Sequence, residues 1–260
     1  MKILKIIAIL FSFVAIFYTI KWINRSLSKP KDQSVLVVGT SYDYPPYTFM
    51  QDGTTSIVGF DIDLIEQVAI RMGKTVKIVG MPFSSLIFSL FSGDLDVLAS
   101  AMSPTPRRKT AVLFSKNYLS GDPLVIVSKA SAGTFNSVQD LRDKQVVVNT
   151  GFVADTYMAK QEGISSKNLV RLDTPAKALM ALKSGTVDAW VTAQSSAQVF
   201  LQKVTDGDQY RLTPLVDTGD DYAFVVHKYN EGLVVKINKA IDDIIADGTL
   251  NSLKEKWKLS

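Results

Sequence analysis

Past residue 34 the sequence falls into a repeating rhythm, with short β-branched apolar runs separated by stretches whose apolar positions recur at helical spacing. The runs predict strands at 35–38, 76–79 and 96–99. The periodic stretches predict helices at 62–72 and 84–91, the first started by Asp63 and Glu66 as a capping box and stopped by Gly73. The order β-α-β-α-β implies a parallel sheet joined by right-handed crossovers. A second round follows, with strands at 145–148, 169–172 and 187–191 and helices at 153–161 and from Thr174-Pro175 to Lys183. The strand at 222–227 and the helices at 231–246 and 249–258 are too little to fold alone, so they are expected to return to the first sheet.

The two rounds share residues as well as order. Leu90, Ser92, Gly93, Asp96 and Ser100 overlay Leu182, Ser184, Gly185, Asp188 and Thr192 without a gap. In each set a glycine ends a helix and a short turn feeds a buried strand, which predicts two similar lobes. Residues 35–122 and 222–260 are assigned to the first lobe and 123–221 to the second. The crossings near 121–125 and 216–222 are expected to form a two-strand hinge. In open parallel sheets ligands sit outside the carboxyl ends of the strands, so two hinged sheets would face those ends across a cleft.

The N-terminal segment is different. A basic start, Met1 to Lys5, precedes an apolar run from Ile6 to Ile20, the pattern of an export signal or an uncleaved membrane anchor. Residues 26–34 read as a polar linker. Lys21, Arg25, Lys29 and Lys31 outnumber Lys2 and Lys5, which by charge alone favours a body facing the cytoplasm. The content of the body argues for export and a periplasmic or extracytoplasmic location. Six basic residues against Asp32 give the first 34 residues a charge of +5, so the body carries −1 of the formal +4. That lacks the basic excess nucleic-acid binding needs. With no cysteine and a single histidine, His227, the chain offers neither a thiolate or histidine metal cluster nor a Ser-His-Asp triad, and no cofactor is expected.

Candidate chemistry lies in the loops after the strands. The segment 40–49 combines Tyr42, Tyr44 and Tyr47 with consecutive prolines that hold it extended. After the third strand, Ser100, Ala101 and Ser103 lead through Pro104-Thr105-Pro106 to Arg107, Arg108 and Lys109. Hydroxyls, backbone N–H groups and a guanidinium converge there on a helix start, which suits a carboxylate. One of the three basic residues is expected to be the clamp. Phe83, before the second helix, is either pocket wall or core.

Four ordered stretches carry a resemblance: Gly59-Phe60-Asp61-Ile62-Asp63-Leu64, Met81-Pro82-Phe83-Ser84-Ser85-Leu86-Ile87, Ser103-Pro104-Thr105-Pro106-Arg107-Arg108 and Ala246-Asp247-Gly248-Thr249. Together they are similar to the periplasmic amino-acid-binding proteins of ABC importers, solute-binding protein family 3. The resemblance implies an α/β, two-lobed periplasmic-binding-protein-like fold, each lobe a mostly parallel sheet flanked by helices. It implies a monomer, not an enzyme, that closes on a small amino acid or related carboxylate and hands it to an ABC permease. Tyr44 and Phe83 stand where the family stacks aromatics on the ligand. Arg108, Ser103 and the N–H of Ala101, with Ser100 beside them, stand at the carboxylate positions.

The second lobe departs from the family pattern. Gly151-Phe152-Val153 replaces a hydroxyl-bearing loop, and Ala193 stands where an aspartate usually pairs the ligand ammonium. Gln194, Asp220 or Asp221 could substitute, or the ligand lacks an ammonium. Ser41 replaces an acid used by some members for cationic side chains, with Asp43 nearby. A membrane-tethered sensor with an altered pocket and an enzyme resembling the cyclohexadienyl dehydratases are the other readings of this scaffold.

Overall fold

The computed structural model describes residues 32–259; the N-terminal segment read as signal or anchor lies outside them. The first sheet begins with β1 (Val35–Thr40), flanked in parallel by β5 (Thr75–Gly80) and β6 (Val97–Met102). The long β14 (Asp220–His227) then pairs antiparallel with β6 and with β7 (Val112–Phe114), completing the order β5-β1-β6-β14-β7. The second sheet runs β11 (Leu169–Leu172), β10 (Val146–Asn149), β12 (Ala189–Ala193), β9 (Leu124–Lys129) and β13 (Tyr210–Pro214). Its first three strands are parallel and β9 is antiparallel to both neighbours. A small meander of β2 (Asp43–Tyr44), β3 (Thr48–Met50) and β4 (Ile57–Val58) follows β1.

Helices cover both faces of each sheet, as parallel strands buried on two sides require. In the first lobe α1 (Phe60–Arg71), α7 (Glu231–Ala246) and α8 (Thr249–Trp257) enclose a core containing Leu64, Val68, Val97, Phe224 and Ile241. On the opposite face α2 (Leu86–Phe91) buries Leu86 and Leu90 against Leu98 and Val225. In the second lobe α4 (Val153–Met158) covers one face, and α5 (Pro175–Ser184) with α6 (Gln194–Gln202) covers the other around Trp190. Trp190 is fully buried and donates its indole N–H to Asn149 Oδ1 at 3.3 Å.

The repeated residues have repeated jobs. The Asp96 carboxylate accepts from Val37 N and that of Asp188 from Gln145 N, each at 2.8 Å. The backbone N–H of each aspartate returns the bond, to Val37 O and Gln145 O. Each aspartate thus clips the entry of one strand to a neighbouring strand at the same register. Gly93 and Gly185 both take the left-handed conformation, φ 85° and 77°, that a helix exit favours.

Several predicted boundaries move. The helix expected at 62–72 starts two residues earlier, and its cap is Gly59 with no side-chain bond. Asp63 is instead engaged by Lys256 Nζ and Trp257 Nε1, so the capping-box reading is corrected. The helix expected at 153–161 stops at Met158. Strand β9 and helix α6 lie where the sequence pattern gave no element. Among the described residues no helix is long and apolar enough to cross a membrane.

Candidate functional site

The chain passes between the sheets twice, and the two passages lie side by side. Strand β8 (Leu119–Asp122) pairs antiparallel with the start of β14, placing Asp122 opposite Asp220 and Leu119 opposite Tyr222. Asp122 is the hub of this junction. Its carboxylate accepts from Tyr47 Oη at 3.0 Å, Tyr222 Oη at 2.8 Å, Ser195 Oγ at 2.6 Å and Ser195 N at 3.1 Å. Two of these donors come from the first lobe and two from the start of α6 in the second, so one carboxylate ties both lobes to the hinge.

Where the strand ends meet, Tyr44, Phe83, Ala101, Ser103, Arg108, Phe152, Val153, Asp220 and Tyr222 enclose a cavity of about 20 Å³. That is room for little more than a water. Six of the candidate ligand residues named from sequence are therefore together: Tyr44, Phe83, Ala101, Ser103, Arg108 and Asp220. Local sequence explains the guanidinium's position. Thr105 caps the short helix α3 (Pro106–Lys109), Pro106 occupies its first turn, and the Thr105 hydroxyl accepts from Arg108 N at 3.3 Å. Arg108 then donates to Ser103 O and, across the cleft, to Gly151 O, both at 2.9 Å. Its guanidinium also lies 5.5 Å from the Phe83 ring centroid. Burial lowers its pKa to about 10, which leaves it cationic at neutral pH. Arg107 and Lys109 are exposed.

Phe152 closes the aromatic side. Its ring is edge-on to Tyr44 at 5.1 Å and tilted against Phe83 at 4.6 Å, and it joins the first lobe's apolar core although it belongs to the second lobe's loop. The aromatic pair expected to face a ligand thus has a third ring seated between its members.

Other expected residues lie elsewhere. Ser100 is fully buried, and its hydroxyl meets Ser41 Oγ at 2.8 Å and accepts from Ser41 N at 3.1 Å, which keeps it inside the β1–β6 seam. The N–H of Ala101 is already committed to the Asp61 carboxylate at 2.6 Å, so it is not free for a ligand. Asp61 is wholly enclosed and also accepts from Tyr118 Oη. Gln194 begins α6, donates its backbone N–H to Pro123 O, and lines a separate cavity of about 130 Å³ beside β8. A larger hollow of about 490 Å³, between α6 and β13, contains none of these residues.

Asp221 accepts from Asn117 Nδ2 at 2.8 Å and does not line the cleft cavity; its neighbour Asp220 does. The reason is strand parity. Residues two apart on β14 share a face, so Asp220 goes with Tyr222 and Asp221 goes to the other side. Asp220 is 9% exposed, and the Ser103 side chain hydrogen-bonds it. Desolvation raises its pKa to about 7, with Asp122 adding to the rise and Ser103 and Arg108 opposing it. Asp43, the other acid weighed for this site, is half-buried on β2 outside the cavity. Among the described residues no cluster of three or more His, Asp or Glu is placed to hold a metal.

Residues 36–260 match the family of bacterial extracellular solute-binding proteins, family 3. A probable histidine-binding protein from Campylobacter jejuni is 30% identical over 91% of this chain and 90% of its own length. The arginine-binding extracellular protein ArtP of Bacillus subtilis is 30% identical over 85% of each chain. Among solved structures, an ancestral arginine-binding protein bound to arginine superposes with a TM-score of 0.80 at 32% identity, covering 86% of this chain and 98% of its own. A mutant of the arginine-binding protein ArgBP from T. maritima gives 0.79 at 34% identity, over 88% and 97%. These relatives are named as amino-acid-binding proteins, and the solved structures among them share the fold described above. The chain belongs to the bacterial extracellular solute-binding proteins, family 3.

Proposed function

We propose that this chain is an extracytoplasmic receptor that closes its lobes on a small amino acid or related carboxylate and delivers it to an ABC permease. Residues 35–122 with 222–260 act as one lobe and 123–221 as the other, swinging about the β8/β14 junction. The observation that carries the reading is Arg108. A cationic guanidinium stands at the mouth of the first lobe with Ser103 beside it, and one of its donors reaches a bare carbonyl, Gly151 O, across the cleft. A ligand carboxylate offers the same guanidinium two oxygens in matched geometry, a stronger partner than one neutral carbonyl. Tyr44 and Phe83 form the aromatic wall for the rest of the ligand. The ligands for which the relatives are named, histidine and arginine, make cationic and polar amino acids the first compounds to test.

The test is a thermal-shift panel of the common L-amino acids and small carboxylates. A true ligand at ~100 times its Kd stabilises by roughly 2.7 kcal/mol. Arg108→Ala should abolish that shift while leaving the unliganded melting temperature near that of the wild type, since the side chain is half-buried at the cleft rim. A panel in which no compound shifts the melt refutes the receptor reading. A shift that survives Arg108→Ala refutes the assigned clamp.

A further inference from the structure

Within the cleft cavity one cation and one acid face a common space: Arg108 at one side and Asp220 at the other. Three other acids near the junction already hold donors. Asp122 is occupied by Tyr47, Tyr222 and Ser195, Asp61 by Ala101 N and Tyr118, and Asp221 by Asn117. Arg108 spends its donors on Ser103 O and Gly151 O and does not bridge to Asp220. The second lobe brings Phe152 and Val153 to the cavity and no acid, and Ala193 at the end of β12 is buried and apolar.

We propose that Asp220 is the counter-charge for the ligand's ammonium, so that this pocket selects ligands with an ammonium on the carbon next to the carboxylate, and its ammonium site is built from the hinge strand β14 and not from the second lobe. The inference rests on the receptor reading above and narrows its ligand class to compounds carrying both a carboxylate and an ammonium. A carboxyl kept 9% exposed beside a single hydroxyl is held out of water with Arg108 near it but in no direct ion pair. A buried charge of that kind is costly until a partner arrives. An ammonium entering between Ser103 and Asp220 supplies one, while the ligand's carboxylate meets Arg108. Because Asp220 stands at the crossing itself, filling the site places the new ion pair where the two lobes turn.

The experiment is titration calorimetry on the full-length chain with L-arginine, L-histidine and L-glutamine, each paired with its desamino acid (5-guanidinopentanoate, 3-(imidazol-4-yl)propanoate and 4-carbamoylbutanoate). Asp220→Asn is the test variant, with Asp220→Ser as a second should the first not fold. The expected result is that wild type binds at least one amino acid far more tightly than its desamino partner. Asp220→Asn should lose at least ~30-fold in affinity for that amino acid and leave the desamino acid unaffected or improved. Undiminished discrimination in a folded variant overturns the assignment of Asp220 and leaves the receptor reading standing. Desamino acids that bind as tightly as amino acids overturn the ammonium site and the assignment of Asp220 with it, and leave the receptor reading standing. If no probe of either kind binds, the receptor reading falls and this inference with it.

Discussion

Asp61 is enclosed between β6 and the first lobe's aromatic cluster, with Ala101 N and Tyr118 Oη on one oxygen and no partner for the other. Burial raises its pKa to about 7, more than those two donors lower it. The folded value thus lies above the unfolded value near 3.8, so the protonated form is favoured by folding. Its contribution is complete below that unfolded pKa and is lost as pH climbs towards 7. Asp61→Asn removes the titration while keeping an acceptor for the two donors. The stability of wild type minus that of Asp61→Asn should therefore fall between pH 4 and 7, by at most ~4 kcal/mol, and level off above. Urea melts at a series of pH values measure it, and a flat difference refutes the assignment. Residue detail of this kind was only partly legible in the chain. The Ser103–Arg108 segment announced itself because Pro, Thr and Arg occur in cap order, so its geometry is local. Asp61 did not, because its partners lie 40 and 57 residues away. The pattern left Asp220 and Asp221 open as alternatives, although strand parity with the large inward Tyr222 favours Asp220.

At the scale of elements, α1 owes its start to a glycine and not to the acids in its first turn. Gly59 sits at φ 141°, and a Cβ there would lie 2.0 Å from Tyr47 O, the carbonyl that accepts Asp61 N in the helix's first turn. An alanine would force apart the loop that carries Tyr44 and the helix that buries Phe60, Leu64 and Val68. Gly59→Ala should cost at least ~2 kcal/mol. For a body of this size that is a fall of roughly 4–8 °C in melting temperature, read by calorimetry; an unchanged melt would show that the loop yields freely. The elements that could be read from sequence are those whose cause is local. Buried parallel strands such as Val146–Asn149 are continuous apolar runs, and α5 carries Thr174, Pro175 and Gly185 in their proper places. Those that escaped have distant causes. Strand β9 continues an apolar run out of the crossing and is defined by its partners β12 and β13, and α6 has Ala193 at its N-cap, which offers no side-chain bond.

For the molecule as a whole, the walls of the cleft leave space for about a water between them, so an amino acid is admitted by parting the lobes. Four kinds of contact hold them together: Ser195 on the Asp122 hub, Arg108 on Gly151 O, Lys203 over the Phe49 ring at 5.3 Å, and Phe152 between Tyr44 and Phe83. The first lies at the hinge axis and changes least on opening. The second and third are partly solvated and individually weak. Phe152 is different, because its ring is 8% exposed and packs in the first lobe's cluster, not its own. Its burial is therefore stabilisation present only when the lobes are closed. Truncating a packed Phe costs ~3–5 kcal/mol, and here that loss falls on the closed state alone. A shift of even 3 kcal/mol moves an open–closed equilibrium more than 100-fold. Phe152→Ala should expand the unliganded protein while sparing the cores of the two lobes. In small-angle scattering, the wild type should contract when an amino acid closes its lobes. The variant should show a larger radius of gyration alone and contract when an amino acid is added. Equal radii for the two unliganded proteins would mean that Phe152 does not hold the lobes, and that the hinge hub at Asp122 sets their angle.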